Sequence, residues 1–449
     1  MSASNELQAS RDVLAATSAY KRISRLFDEG SFQEIDAYAK SGDGYAEAAA
    51  GRGTIDGCPV YAYVQNSDIC GGAMSKAQAQ KIKKVYDLAL KAGAPVIGVF
   101  DSNGGRLDEG AAMMAAYGEI LLTSNNLSGV VPQIALVLGP CVGTSAMIAA
   151  SADFVVMSDK GELTLETNGA EAGAEAAVKA GVCHVAAASE DEAIAAVRSL
   201  IVKLPANNLS GAPVVDFAGV SASAAVAAGM SGADTIKAIA DEGSFTELSK
   251  EFGSCAVTGL ATMNGMTVGL VAFDGVICAD GCSKAARFVR FCDAFSLPVV
   301  TAVNAEGFTS VREACKLSNA YSEATTAKAT VICGSAVGAV YIAVAGRGAN
   351  ADITLAWPDA VVSPLAPATA CMFTCSDQLA GSADPVHDRE KLIADYAKNE
   401  CTPFKAAAEG FIEDIVLPEE TRAKVLGALD MLAGKRVQRL AKKHANIQL

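Results

Sequence analysis

GPCVGTSAMIAASAD, residues 139–153, decides how the rest of this sequence is read. It follows VVPQIALVL (130–138), an apolar run with the length and composition of a buried strand, and turns through Gly139, Pro140 and Gly143 into a helix of small residues. A glycine-bearing turn from strand to helix leaves the first helical amides without intrahelical partners, free to point at whatever sits above the strand's end. Taken alone, strand, glycine turn and helix is also ordinary α/β packing.

Its weight comes from a second copy. TVICGSAVGAVYIAVAGRGANAD (330–352) again gives an apolar strand, a glycine turn, a small-residue helix and an Ala-Asp pair. Other landmarks repeat in the same order. DEGSF occurs at 28–32 and at 241–245, an offset of 213, and TIDG ending at Gly57 is answered by TMNG ending at Gly265, an offset of 208. Pro95 matches Pro298 at 203, Gly143 matches Gly338 at 195 and Asp153 matches Asp352 at 199. Slowly drifting offsets with preserved order mean a duplicated domain, and the period is too long for a solenoid.

Working outward, 6–27 reads as one polar helix closing on DEGSF, and 51–72 as a hairpin turning at Asp56-Gly57. Residues 75–92 carry Ile82, Val85, Leu88 and Ala89 at helical spacing. A short strand (94–100) then runs into DSNGGRLDEG (101–110), and a helix over 111–124 leads to the opening strand. Strands with continuous apolar runs alternating with helices are the pattern of parallel crossovers. A strand at 154–159 and a helical region over 170–204 follow. The Ala, Gly, Ser and Pro-rich stretch 205–233 predicts a connection, giving a first domain over 1–205, a linker over 206–232 and a second domain over 233–449.

Composition supports two or three domains with a sizeable core: 449 residues, 51% hydrophobic and 19% charged. A net charge of −14 argues against nucleic acid or an anionic membrane as the main partner, so an anionic ligand would need a local basic cluster. The 13 cysteines include no Cys-x-x-Cys pair, and the close pairs Cys278/Cys282 and Cys371/Cys375 lack further ligands at metal spacing, so reduced, mostly buried thiols are expected. The N-terminal residues lack an apolar core of signal-peptide type and no apolar run is long enough to cross a bilayer, which predicts a cytoplasmic protein.

Many separate words, in order along nearly the whole chain, resemble the acyl-CoA type of biotin-dependent carboxyltransferase. In the first half they are TIDGCPVYAY, the Gly71-Gly72 pair, KAGAPVIGVFDSNGGRLDEG, VPQIALVLGPCVG and ADFVVM. In the second they are GADTIKAI, SKAARFVRFCDAFSLPVVT, YSEATTAKATVI, VGAVYIAV, ITLAWP and the tail over 403–449. The resemblance, to subunits of the propionyl-CoA carboxylase beta and methylmalonyl-CoA decarboxylase alpha type in the crotonase superfamily, implies an α/β fold of two homologous crotonase-like ββα-superhelix domains. It implies transfer of a carboxyl group between biotin, held on a separate carrier protein, and the α-carbon of a short acyl-CoA. In such enzymes the biotin enolate itself can take the α-proton, so no protein base is required, and with His184, His387 and His444 the only histidines a histidine-centred mechanism is unlikely on composition too. What the protein supplies is two oxyanion sites.

Carried over residue by residue, the resemblance places the acyl-CoA thioester at the amides around Gly143, Thr144 and Ser145, and biotin at those around Gly338, Ala339 and Val340. The loops with Gly71 and Gly72, and with Ser102, Gly104, Gly105 and Arg106, would shape the acyl-CoA pocket, and Ile342 would face the acyl group; turns that need glycine, or plain helix packing, explain the same residues. The sequence has Gly-Thr-Ser and Gly-Ala-Val where the family usually has Gly-Gly-Ala, and it is shortened after Gly307 and Asp159 and near its N-terminus. Lys81–Lys84, Lys284, Arg287 and Arg290 read either as phosphate contacts or as solvated helix faces, the latter preferred.

The implied partners are the biotin carrier protein and either a biotin carboxylase subunit or a membrane decarboxylase beta subunit, the latter allowing membrane association through the complex. A homodimer or a homohexamer built as a trimer of dimers is also implied. The alternatives are a biotin-independent hydratase or thioesterase, for which Glu109 would be the acid, and a non-catalytic scaffold.

Overall fold

In the computed structural model, which describes residues 3–166, 172–215, 221–382 and 384–447, the chain divides into two units, Met1–Pro213 and Val214–Leu449. The first carries β1 (Gln33–Glu34), β2 (Ala48–Ile55), β3 (Cys58–Gln65), β4 (Val96–Ser102), β5 (Gln133–Val142), β6 (Phe154–Met157), β7 (Glu162–Thr164) and β8 (Val185–Ala186). The second carries β9 (Thr246–Leu248), β10 (Ala256–Met263), β11 (Met266–Ile277), β12 (Val299–Phe308), β13 (Lys328–Val337), β14 (Ile353–Ala356), β15 (Val361–Ser363) and β16 (Asp414–Ile415). The sheets run β1-β2-β3-β4-β5-β6-β8 with β7 beside β5, and β9-β10-β11-β12-β13-β14-β16 with β15 beside β13. In both, the first three strands pair antiparallel and the rest parallel. The duplication of landmarks in the sequence is thus a duplication of topology.

The repeated words hold equivalent corners. β2 and β3 join through Asp56 (φ 48) and Gly57 (φ 80), and β10 and β11 through Asn264 (φ 50) and Gly265 (φ 79), the left-handed pair that a two-residue hairpin needs. The Asp of each DEGSF caps its hairpin: Asp28 accepts the amides of Asp56 (2.9 Å) and Gly57 (3.0 Å), and Asp241 those of Asn264 and Gly265 (both 2.9 Å). Each carboxylate also meets an arginine from a late helix, Arg198 for Asp28 (3.1 Å) and Arg422 for Asp241 (2.6 Å). The same arginines bond the carbonyls of Leu26 and Ile239. A word of five residues therefore recurs because it ties a hairpin to the last helix of its domain.

Helix Lys76–Ala92 begins at Ser75, whose hydroxyl accepts the Gln78 amide, and ends at Gly93 in the left-handed region. Its buried face is Ile82, Val85, Tyr86 and Ala89, with Leu88 only half-buried. Trp357 lies in the core of the second domain with its indole N–H on Thr421 Oγ1 (2.9 Å).

Three readings change. The segment 6–27 is two helices, Ala3–Ala15 and Ser18–Leu26, because Asp68 caps the second by accepting the Ser18 amide at 2.6 Å. The region 170–204 is not continuously helical: Ala174–Lys179 and Glu190–Ile201 flank β8, while 170 and 171 lie outside the described residues. After Gly338 the expected helix is present but wound differently, α at 339–340 and π over Tyr341–Ala345, with a single 3-10 turn, Arg347–Ala349, behind it. Within the 206–232 stretch, Val214 bridges to Met266 and Ala222 to Asp241, and residues 216–220 lie outside the described residues.

Burial opposes the Asp241 charge, but Arg422 and the amides of Gly265 and Asn264 outweigh it and hold the carboxyl below its usual range. The stability this gives is complete above the unfolded carboxylate value of about 3.9 and is lost as pH falls below it. Asp241→Asn should lower the unfolding free energy of the second domain by about 3 kcal/mol in urea titrations at pH 7. The gap between variant and parent should narrow below about pH 4.

Candidate active site

β5 is longer than the strand beside it. Residues 134–137 pair with β6, and 140–142 continue past it against β7. Gly143 (φ 63, ψ −130) then turns the chain into helix Thr144–Ala150, and its own amide donates to the carbonyl of Thr164 at the end of β7 (2.8 Å). The Ala146 amide bonds back to the Gly143 carbonyl (3.0 Å). Between them, the N–H groups of Thr144 and Ser145 have no acceptor among the described residues.

The second copy is built alike. β13 pairs with β14 over 329–332 and with β15 over 335–337, and the amide of Gly338 (φ 52) donates to the carbonyl of Ser363 (2.8 Å). The amides of Ala339 and Val340 have no acceptor among the described residues. In each expected trio the glycine's amide is thus spent on the fold, and the two following amides are the donors that remain. Thr164 and Ser363, which make this so, were not singled out from the sequence, although their offset of 199 equals that of Asp153 and Asp352. Ser145 is buried with its hydroxyl on Tyr117 Oη (3.2 Å), whereas Val340 makes only apolar contacts of a buried side chain.

The expected first-domain loops come together beside this turn. Ser102 pairs with Cys141, two residues before Gly143. Gly71 (φ 62) and Gly72 (φ 69) form a tight turn, and the Asn103 amide bonds the Gly71 carbonyl (3.0 Å). Met74 then zips onto the second loop, its amide on Gly104 (2.8 Å) and its carbonyl on the Arg106 amide (2.9 Å). Ser102 Oγ closes that loop on the Gly104 carbonyl (3.1 Å), and Gly105 packs under Met113, where a Cβ would overlap the sulfur. The Arg106 guanidinium is held by Asp108 (2.5 Å), Ser41 (3.0 Å) and the fully buried carboxylate of Glu47 (3.2 Å). Arg106 is therefore a brace between loops. Below, Asp101 joins Arg22 (2.6 Å) and Ser67 (2.8 Å), a buried support with no motif to announce it.

At the second turn a cavity of about 590 Å³ opens on Gly338 and Ala339. Its walls include Ile342, Tyr396, Lys405 and Phe411. Ile342 is 59% exposed and lines this space, so its side chain is not consumed by packing. Lys405 is paired with Glu400 at the rim. Of these residues only Ile342 was expected, because residues 396–411 reach the turn from some sixty positions away and bear no local signature.

The basic clusters are mostly consumed internally. Lys81 is buried on Glu34 (3.1 Å), and Lys83 and Lys84 pair with Asp87 (2.7 Å) and Asp36 (2.8 Å). Lys284 is buried on the carbonyls of Phe252 (3.0 Å) and Ala256 (2.8 Å), where desolvation pushes its ammonium down to about 8. The solvated-face reading thus fails for Lys81 and Lys284. Glu109 accepts the Lys76 amide (2.7 Å) and caps that helix, and His184 Nδ1 accepts the Val155 amide (3.0 Å). Among the described residues no cluster of His, Cys, Asp or Glu could hold a metal ion, and no helix is long and apolar enough to cross a membrane.

Comparison with known proteins identifies the family and the fold. Residues 16–447 match the model of the carboxyl transferase domain. The chain is 36% identical to the propionyl-CoA carboxylase beta chain of Saccharopolyspora erythraea, over 96% of this chain and 90% of that one. It is 34% identical to the methylmalonyl-CoA decarboxylase subunit alpha of Veillonella parvula, over 96% and 93%. Among solved structures, a transcarboxylase 12S hexamer with methylmalonyl-coenzyme A and methylmalonic acid bound superposes with a TM-score of 0.92 at 30% identity, covering 99% of this chain and 98% of the other. The two-domain crotonase-like fold expected from the sequence is the fold found.

The two glycines should respond differently to a methyl group. A Cβ on Gly338 would fall 2.7 Å from the Pro364 carbonyl, whereas one on Gly143 meets open space and only backbone strain. Gly143→Ala should cost about 1 kcal/mol and Gly338→Ala about 2–3 kcal/mol in chemical denaturation.

Proposed function

The chain belongs to the carboxyl transferase domain family and is an acyl-CoA carboxyltransferase, and from that premise we propose that it moves a carboxyl group between carrier-borne biotin and the α-carbon of a short acyl-CoA. The reading rests on one observation above others: two equivalent turns, each with two consecutive main-chain N–H groups that have no acceptor among the described residues.

In the proposed reaction the first turn takes the thioester. Loss of a proton or of carboxylate from the α-carbon puts negative charge on the thioester oxygen, and the Thr144 and Ser145 amides stabilise it there. Because the donors are main-chain groups, a threonine and a serine serve as well as smaller residues. The buried Ser145–Tyr117 bond fixes the turn against the preceding helix, Ala111–Leu127, so the donors are aimed before the charge develops. Gly71, Gly72, Ser102, Gly104 and Gly105, braced by Arg106, wall the acyl-CoA side.

The second turn suits biotin. A cavity of about 590 Å³ with largely apolar walls has room for a small bicyclic ring, and the Ala339 amide at its lining, with the Val340 amide behind it, offers a donor for a ureido oxygen. When bound, biotin supplies a nitrogen that carries the carboxyl group. Ile342, exposed in the same cavity, bounds the room beside the ring.

The partners proposed are a biotin carrier and either a biotin carboxylase or a membrane decarboxylase subunit, matching the two kinds of relative. Transfer is reversible, so the partner and not this chain sets its direction. The hexamer of the related transcarboxylase supports a homo-oligomer, and a cytoplasmic location belongs to the same reading.

The purified chain should decarboxylate methylmalonyl-CoA or malonyl-CoA only when free biotin is added, and should not hydrate crotonyl-CoA. Turnover independent of biotin would overturn the reading. Thr144→Pro removes one donor at a helical position that tolerates proline, and should lower kcat about 10²–10³-fold without unfolding the domain. Ala339→Phe keeps the amide but fills the cavity. It should raise the KM for free biotin about tenfold while leaving the KM for the acyl-CoA unchanged.

A further inference from the structure

Cys255 and Cys278 lie with their sulfurs 2.9 Å apart, across 23 positions of sequence. Cys255 immediately precedes β10, and Cys278 caps helix Ala279–Ala294. Both are half-buried, so small solutes reach them. The first domain shows what the fold normally keeps here. Glu47 precedes β2 and Ser75 caps helix Lys76–Ala92, and the Ser75 hydroxyl bonds the Glu47 carboxylate at 2.5 Å. The offsets are 208 for Glu47 and Cys255 and 203 for Ser75 and Cys278, the values that relate Gly57 to Gly265 and Pro95 to Pro298. A polar bridge in one copy is a sulfur pair in the other.

The surroundings are built for sulfur. Gly281 leaves open the place where a Cβ would lie 2.4 Å from Cys255 Sγ. The Cys278 amide donates to Cys255 Sγ (3.1 Å) and the Gly281 amide to Cys278 Sγ (3.4 Å). Lys284, anchored on the Phe252 and Ala256 carbonyls, places a cation on the same helix. Cys278 sits at the start of its helix with the Gly281 amide aimed at its sulfur, the placement of an attacking thiol. Burial pushes the Cys255 thiol up to about 11, which suits it to the resolving role.

We propose that Cys255 and Cys278 form a reversible redox modification site whose oxidant is a hydroperoxide. The Cys278 thiolate attacks the terminal oxygen of the hydroperoxide; the O–O bond breaks, an alcohol or water leaves with a proton, and Cys278 becomes a sulfenic acid. Cys255 then attacks that sulfur, the S–O bond breaks, water leaves and the Sγ–Sγ bond forms. Two thiols lose two electrons and two protons, and the hydroperoxide is reduced to an alcohol and water. The sulfurs must approach by roughly 0.9 Å to reach a bond length of about 2.05 Å, a side-chain adjustment. Cys282, one turn along the same helix, is fully buried and so shut off from the oxidant. The product staples β10 to a helix that starts at the sheet edge on which Gly338 also lies, since Ile277 pairs with Phe308 and Ala305 with Ala336.

The test is disulfide mapping of the full chain after brief treatment with equimolar hydrogen peroxide, alkylation and digestion without reductant. A Cys255–Cys278 cross-linked peptide should dominate, disappear with dithiothreitol and accompany a rise of roughly 5–10 °C in Tm. Cys255→Ser should abolish the Tm shift and leave Cys278 as a dimedone-reactive sulfenic acid; Cys282→Ser should change neither result. The proposal fails if Cys255 and Cys278 remain alkylatable while the exposed Cys70 and Cys315 oxidise, or if Cys278 pairs elsewhere. The map of the unsubstituted chain decides this even if a variant does not fold.

Discussion

A single hydrogen bond in each domain, from the amide of a turn glycine to the last carbonyl of a three-residue strand, fixes everything above it: Gly143 to Thr164 and Gly338 to Ser363, both 2.8 Å. The central strand outruns its main neighbour and would end as an unsupported edge. The short strands β7 and β15 catch that overhang, and their terminal carbonyls take the first amide beyond it. With that donor consumed, the chain turns through positive φ, and the next two amides are left without acceptors among the described residues. A buried donor without an acceptor costs about 1–3 kcal/mol, so a pair kept at the same turn of each domain fits a site that receives charge.

How much of this could be read from the sequence depends on the kind of signal each element leaves. Long parallel strands and the hairpin turns at Asp56-Gly57 and Asn264-Gly265 announce themselves through apolar runs and obligate left-handed residues. DEGSF was legible as a repeat but not as a device, because its carboxylate acts on partners 28 and 170 positions away. Strands of two or three residues, β7, β8, β15 and β16, have no periodicity to detect, yet two of them hold the site. Lys81 and Lys284 misled for a related reason: a long aliphatic stem lets a lysine on an apparently polar face bury and end on a carboxylate or on carbonyls. The cavity at Gly338 was invisible because its far wall comes from residues 396–411.

The two copies have kept their backbone and changed what surrounds it. In the first, the turn enters an α-helix, Ser145 is locked onto Tyr117 and two zipped loops close in beside Ser102. In the second, the same turn enters a π turn, Ala339 and Ile342 stay exposed, and a cavity stands open. A main-chain donor is indifferent to its own side chain, so Gly-Thr-Ser and Gly-Ala-Val can present the same pair of N–H groups. Selection between ligands must then come from the walls. That division of labour explains why one architecture, duplicated, can address two chemically different groups: the invariant part recognises an oxygen that gains charge, and the variable part recognises everything attached to it.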